Sequence, residues 1–161
     1  MHCRTFSHAS YGEKKGCAIF SKISQQISKT QHNIVKEKYQ IMSILDETVK
    51  GYPYQLVLVY ASSGCPLPEL VTDLARLLKQ KWTTVITGDF NFDRKEENAL
   101  TRFLSYQDYQ QVVTWPTHDA AGNTLDHCYI SKHTRVQLTR SSPHFSDHDS
   151  LIIQFEHFPW Y

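Results

Sequence analysis

Long apolar runs are missing from this chain. Its uninterrupted hydrophobic stretches are a handful of residues, far below the ~18–20 that cross a bilayer as a helix, so a membrane helix is excluded. The opening Met1–Ser10 stretch is polar and holds no apolar core of the secretory kind. Cysteine is sparse: Cys3, Cys17, Cys65 and Cys128 stand singly, without a CxxC pair. That excludes the tight framework of small stapled secreted domains and points to reduced thiols in an intracellular protein, nuclear or cytoplasmic. Six glycines and six prolines are too few for collagen-like or low-complexity chains. The glycines form neither GxGxxG nor a phosphate loop, no GxSxG elbow occurs, and no cysteine has a convincing adjacent base. A dominant charge sign is missing too, the formal net charge being +1. Residues 1–50 sum to +4 and residues 51–161 to −3, so net charge alone leaves the partner open.

What is present suits one folded domain over residues 1–161, with 40% apolar residues for its core. Cys17–Ser21 reads as a buried strand, and the polar Lys22–Asn33 stretch as a loop or a weak strand. Extended, partly alternating residues from Val35 to Thr48 lead through turn chemistry into the run Tyr54–Ala61, a long two-stranded hairpin. After a Ser-Gly-Pro break, Leu67, Leu70, Val71, Leu74, Leu77 and Leu78 recur at helical spacing opposite Glu69, Asp73, Arg76 and Lys79. Thr83–Thr87 is a strand running into Gly88-Asp-Phe-Asn91, and a second helix is expected over Glu96–Leu104. Further short strands are expected at Val112–Val113, Leu125–Ile130, Arg135–Thr139 and Ser150–Phe155. The class is α/β or α+β, with mostly antiparallel strands near the C-terminus.

Three constellations carry chemistry. Asp89 and Asn91, two apart at a strand end, share one rim while Phe90 points the other way. They can hold a hard cation and meet a phosphoryl oxygen, or form a plain Asx turn that caps the next helix. A calcium loop is excluded, since its sixth and twelfth positions would be Arg94 and Leu100. The second constellation is Ser146-Asp-His-Asp149, where carboxylates beside His148 can raise its pKa as a general acid or base requires. His144 and His148 have HxxxH spacing, but the flanking Pro143 and Phe145 and the β signals that follow do not suit the helical zinc motif. The third is Asp126, a carboxylate inside the apolar strand Leu125–Ile130. It needs a partner when buried, and a histidine is the natural one. His127 falls on the opposite strand face and reads as structural. Tyr60, at the end of the strongest β run, is either a phenol at the same rim or an ordinary strand-end aromatic.

Taken in order, GCAIFSK (16–22), VLVYASSG (57–64), VITGDFN (85–91), PTHDAAGNTLDHCYIS (116–131) and SDHDSLIIQF (146–155) resemble the endonuclease/exonuclease/phosphatase superfamily. Within it they are most similar to the endonuclease domains of LINE-type retrotransposons, themselves similar to apurinic endonucleases. The resemblance covers the chain from about Gly12 onward. It implies a four-layered α/β sandwich of two packed, mainly antiparallel sheets, and Mg²⁺- or Mn²⁺-dependent hydrolysis of phosphodiesters in nucleic acid, DNA first. It further implies that Asp89 orients or activates the attacking water near the metal, that Asn91 binds the scissile phosphate, and that His148 contacts it. Asp126 would orient His148, Asp147 would sit with Asp89 and Asn91 at the metal end, Tyr60 would match a phosphate-side tyrosine, and Thr117 a phosphate-contacting threonine. The family's opening strands, which carry an Asn and then a metal-ligand Glu, find no counterpart; Glu13 lies too close to Gly16. The chain is therefore expected to correspond to the C-terminal two thirds to three quarters of such a domain. An impaired remnant or binding module of the same fold, and a phosphomonoesterase, are the alternatives.

Overall fold

The computed structural model describes residues 3–10, 16–22, 29–46, 53–80, 82–118, 122–132, 134–142 and 146–155. In chain order the elements are β1 (Cys3–Ser10), β2 (Gly16–Lys22), β3 (Lys29–Val35), β4 (Tyr39–Asp46), β5 (Tyr54–Ala61), α1 (Leu67–Leu77), β6 (Thr83–Asp89), α2 (Ala99–Tyr106), β7 (Tyr109–Gln111), β8 (Asp126–Ser131), β9 (Val136–Ser141) and β10 (Ser150–Phe155). Six strands form one mixed sheet in the order β3-β4-β5-β6-β8-β7, while β1-β2 and β9-β10 are antiparallel pairs. Within the large sheet only β5 and β6 run parallel, joined by the crossover helix α1; the other pairings are antiparallel. This is the expected α/β class, with a large sheet packed against strands of a second one.

Two cores hold the layers together. On one face Ile41, Val57, Val59, Ile86 and Tyr129 pack against Leu70, Leu74 and Leu77 of α1 and Leu100 and Leu104 of α2. On the other, Val85, Val113, Cys128 and Ile130 meet Val136, Leu138, Leu151 and Ile153 of the β9-β10 pair. Each fully buried leucine of α1 or α2 contributes about 1.5–3 kcal/mol by leaving water, which is why the helical spacing of these leucines predicts the packing side. A buried polar side chain near the start of β5, that of Gln55, is satisfied. Gln55 donates to Ser43 Oγ and to the Leu77 carbonyl, both at 2.8 Å, and accepts from Lys79 N–H at 3.0 Å. It thereby closes the C-terminal end of α1.

Several expected boundaries move. The polar front of the chain, to which no element is assigned from sequence, carries β1, paired antiparallel with β2. The end of the polar stretch read as a loop or a weak strand is the edge strand β3, aligned along β4 from Lys29↔Asp46 to Val35↔Gln40. The second helix starts at Ala99 rather than Glu96, because Asn98 forms the cap: its side chain accepts from Leu100 and Thr101 N–H, and Thr101 Oγ accepts from Asn98 N–H in return. Val112–Val113 lies just beyond β7, since Val113 turns down into the second core.

Candidate active site

The ends of four strands converge on one edge. Because β5 and β6 are parallel and β8 is antiparallel to β6, the carboxyl ends of the first two and the start of the third lie together. Tyr60 pairs with Asp89 and Asp89 with Asp126, so these three residues occupy one rung of the ladder across three strands. Paired residues share a sheet face, here the face of the β9-β10 pair. The chain returns to the same place before β10, where Asp149 N–H donates to the Thr117 carbonyl at 2.8 Å and residue 118 forms bridges with both Asn123 and His148.

Asp126 and His148 meet as a hydrogen-bonded pair, His148 Nδ1 to Asp126 Oδ2 at 2.8 Å. The bond fixes the ring's orientation and leaves Nε2 as its second functional atom. Burial pulls the His148 pKa down, but the hydrogen bond and charge of Asp126, with Asp89 and Asp147 behind them, outweigh it and raise the value above the ordinary one. The flanking carboxylates divide the work differently from the sequence expectation. Asp147 is exposed and pairs with His118 Nε2 at 3.4 Å. Asp149 is buried, held by Arg140 Nε at 2.6 Å and Ser142 Oγ at 2.6 Å, and anchors β10 to β9.

Asp89 is half-buried. Burial raises its pKa, the Asn91 N–H opposes that, and the like charge of Asp126 adds to the rise. Asn91 takes the left-handed conformation, φ 54°, and its N–H donates to Asp89 Oδ1 at 3.0 Å. The Asx turn is thus real, but it does not cap the second helix; Asn98 does. The amide nitrogen of Asn91 donates to the Ala61 carbonyl at 2.7 Å and to Asp89 Oδ2 at 3.2 Å. Both amide hydrogens are committed. Asn91 can therefore offer an acceptor, Oδ1, to a cation, whereas the expected donation to a phosphoryl oxygen would have to break one of these bonds. Tyr60 lies next to Asp89; burial, then the charge of Asp89, raise its pKa, so the phenol stays protonated and is a donor.

Thr117 departs from the expectation. It is fully buried, and its hydroxyl accepts Leu125 and Asp126 N–H at 3.1 and 2.9 Å, so no surface is left for a phosphate. Its place is behind the site, tying the start of β8 to the segment that carries His148. Two residues near the rim were not found from sequence. Cys17 approaches Asp89, and burial and that charge push its thiol up to about 11, which excludes a thiolate nucleophile. His118 sets its ring edge against His148, centroids 4.9 Å apart at 85°. Nothing along the chain distinguishes it from the other eight histidines. His144 and Glu13 lie outside the described residues.

His127 is structural, as expected. Its ring stacks on Phe90 at 4.9 Å, Nδ1 meets Tyr129 OH at 3.0 Å, and Nε2 meets the carbonyls of Thr124 and Phe92 at 2.9 and 3.1 Å. Burial holds its pKa below the ordinary histidine value. The unfolded chain therefore takes up this proton first, and the stability that neutral His127 supplies is complete above pH ~6.5 and declines as pH falls below it. His148 has the opposite sign, its contribution being present below ~6.5 and lost as pH rises through its raised folded value. Urea midpoints at pH 7.5 and 5.5 should show the stability gap between the parent and His127→Gln narrowing in acid. A gap that widens would contradict the buried neutral ring.

Oxygen donors suit a hard cation. The Asp89 carboxylate and Asn91 Oδ1 on one rim are oxygen donors of the kind a hard divalent cation takes. Asp147 lies instead with two imidazoles, His118 and His148, the ligand atoms of all three falling within 4.8 Å of one another. Among the described residues no helix is long and apolar enough to cross a membrane.

Residues 2–148 match the model of the Endonuclease/Exonuclease/phosphatase family, so the match begins ahead of the expected Gly12 and takes in β1. No curated protein matches the sequence. Three solved structures share the fold. An endonuclease/exonuclease/phosphatase family protein from Leptotrichia buccalis C-1013-b is 15% identical with TM-score 0.58, over 73% of this chain and 53% of that one. The catalytic domain of human nocturnin, solved with a bound sulfate anion, is 18% identical with TM-score 0.62, over 96% and 72%. A family protein from Bacteroides thetaiotaomicron is 15% identical with TM-score 0.54, over 86% and 66%. The chain thus spans about half the length of the first of these and about two thirds of the third.

Proposed function

This chain belongs to the Endonuclease/Exonuclease/phosphatase family, and from that premise we propose that it is a divalent-metal-dependent phosphodiesterase acting on nucleic acid, an endonuclease of the retroelement type with DNA as its substrate. The observation that carries the reading is the single rung Tyr60–Asp89–Asp126 closed by the Asp126–His148 hydrogen bond. Two carboxylates, a phenol and an imidazole of raised pKa at one sheet edge are what attack at phosphorus requires, namely a base for water and donors for the charge that develops.

Asp89 and Asn91 are the residues that would hold Mg²⁺, which when bound would neutralise charge on the phosphate. Asp89, its basicity raised by burial, takes the proton of the attacking water as the new P–O bond forms. His148, its pKa raised by Asp126, gives a hydrogen bond from Nε2–H to a phosphoryl oxygen as charge develops there; the P–O bond to the leaving group breaks with its electron pair on the leaving oxygen, which takes a proton from solvent. Tyr60 donates from the other side of Asp89, and Thr117 keeps Asp126 and His148 in register from behind.

Supercoiled plasmid tests this. Nicking that requires Mg²⁺, stops with chelator and disappears in His148→Ala and Asp89→Ala is the expected result. Turnover of a soluble phosphate ester without any nicking would replace the reading with a phosphomonoesterase. The second reading is an impaired remnant or binding module of the same fold. It predicts no hydrolysis by the 161-residue chain together with tolerance of those same substitutions.

A further inference from the structure

We propose that His118, Asp147 and His148 form a binding site for a transition-metal cation of the zinc class, with a donor set distinct from the oxygen pair Asp89 and Asn91. The spacing of the three is already close to what such a cation demands. Two donors each ~2.1 Å from a tetrahedral zinc stand about 3.4 Å apart, and His118 Nε2 is 3.4 Å from Asp147 Oδ2. The third donor comes from His148, and the whole set lies within 4.8 Å, so no pair of donors has to close by more than about 1.4 Å.

The second and independent observation lies behind His148. Its Nδ1 is bonded to Asp126 Oδ2 at 2.8 Å, so Nε2 is the nitrogen it can turn to a metal. A carboxylate on the far nitrogen is the support that metal-binding imidazoles use to fix tautomer and direction. His118 is likewise restricted, because its Nδ1 is buried without a hydrogen-bond partner, which leaves Nε2. The backbones are held as well, residue 118 bridging to His148 and to Asn123. The Asp147 side chain is 72% exposed, so the site opens to solvent on that side and keeps a position for water. Two imidazoles and one carboxylate favour Zn²⁺, Co²⁺ or Ni²⁺ over Mg²⁺. Along the chain the HxxxH spacing of His144 and His148 does not suit the zinc motif; in the fold it is His118, from the segment after β7, that stands beside His148.

One consequence rests on the proposed phosphodiesterase reading. A cation on His148 Nε2 takes the atom that would meet the phosphate, so Zn²⁺ inhibits hydrolysis where Mg²⁺ supports it.

The full chain, freed of metal by chelator, is titrated with Zn²⁺ by calorimetry and with Co²⁺ by visible absorption. One Zn²⁺ per chain, a tetrahedral Co²⁺ spectrum, and affinity reduced at least about tenfold in both His118→Gln and Asp147→Asn are expected, with about a 10–100-fold loss in Asp126→Asn. Asp147 is exposed, so its variant keeps the fold and isolates the ligand. Zn²⁺ binding undiminished in Asp147→Asn and His118→Gln, or absent from a chain whose circular dichroism shows it folded, overturns the site. Zn²⁺ bound as described but without inhibition of nicking leaves the site standing and overturns the role given to His148.

Discussion

Asp126→Asn is expected to slow phosphodiester hydrolysis by about 10² to 10⁴-fold while leaving the fold intact. Asn matches Asp in shape, and position 126 keeps its pairing with Asp89 on β6. What disappears is the negative charge at 2.8 Å from His148 Nδ1. Without it the leading influence on His148 is burial, which lowers the pKa. The ring then carries less proton at neutral pH and loses its fixed direction, so it cannot donate to the phosphoryl oxygen. The loss should fall on kcat rather than KM, because Asp126 touches His148 and not the substrate. A readout apart from activity is the His148 ring titration followed by NMR in metal-free protein, whose midpoint should move down in the variant. An unchanged kcat, or an unmoved midpoint, would remove Asp126 from its positioning role. Asp126→Glu offers a control, since it restores charge but displaces it, and should recover the direction of the titration more fully than the rate.

The parts of this fold that can be read from sequence are those where a side chain has one place to go. In β5 alternate residues are buried, from Gln55 to Ala61, and in α1 Leu70, Leu74 and Leu77 are buried on one stripe, so period and burial coincide. Asp126 is legible for the converse reason: a carboxylate between apolar neighbours has to be paired. Strand β3 is not, because Lys29–Val35 is an edge strand held by its ladder to β4, and backbone hydrogen bonds leave no pattern in side chains. Thr117 was legible as special but not in its sense. Its motif position marks the site, while its burial, which no local pattern encodes, turns the hydroxyl inward to Leu125 and Asp126. His118 was invisible since its significance comes from residues 147 and 148, brought to it by the return of the chain before β10. The direction of the Asn91 amide was equally out of reach, being set by the Ala61 carbonyl on the neighbouring strand.

Gly88→Ala should cost several kcal/mol, a large share of the domain's stability. At φ +145° the backbone is in a region that L residues rarely adopt, and an added Cβ would stand 1.8 Å from the Val59 carbonyl oxygen and 2.8 Å from its carbon. Val59 and Gly88 are paired on the parallel strands β5 and β6, so the contact is backbone against backbone and no rotamer relieves it. Strain of about 1–3 kcal/mol from the conformation adds to about 1–3 kcal/mol or more from overpacking, against a total stability of roughly 5–15 kcal/mol for a domain. Gly122→Ala separates the two causes. That glycine also has a positive φ, +64°, but nothing lies within 4 Å of its Cβ position, so only the conformational cost of about 1 kcal/mol applies. Urea midpoints should therefore fall slightly in Gly122→Ala and collapse in Gly88→Ala; similar falls in both would show that the strands separate cheaply at Val59. The position also matters for chemistry. Gly88 precedes Asp89, and Val59 precedes Tyr60 on the paired strand, so any separation that admits the methyl group moves the carboxylate and the phenol apart. Since a displacement of about 1 Å is enough to cost about 10²-fold in rate, whatever Gly88→Ala folds should be slower per folded molecule than Gly122→Ala.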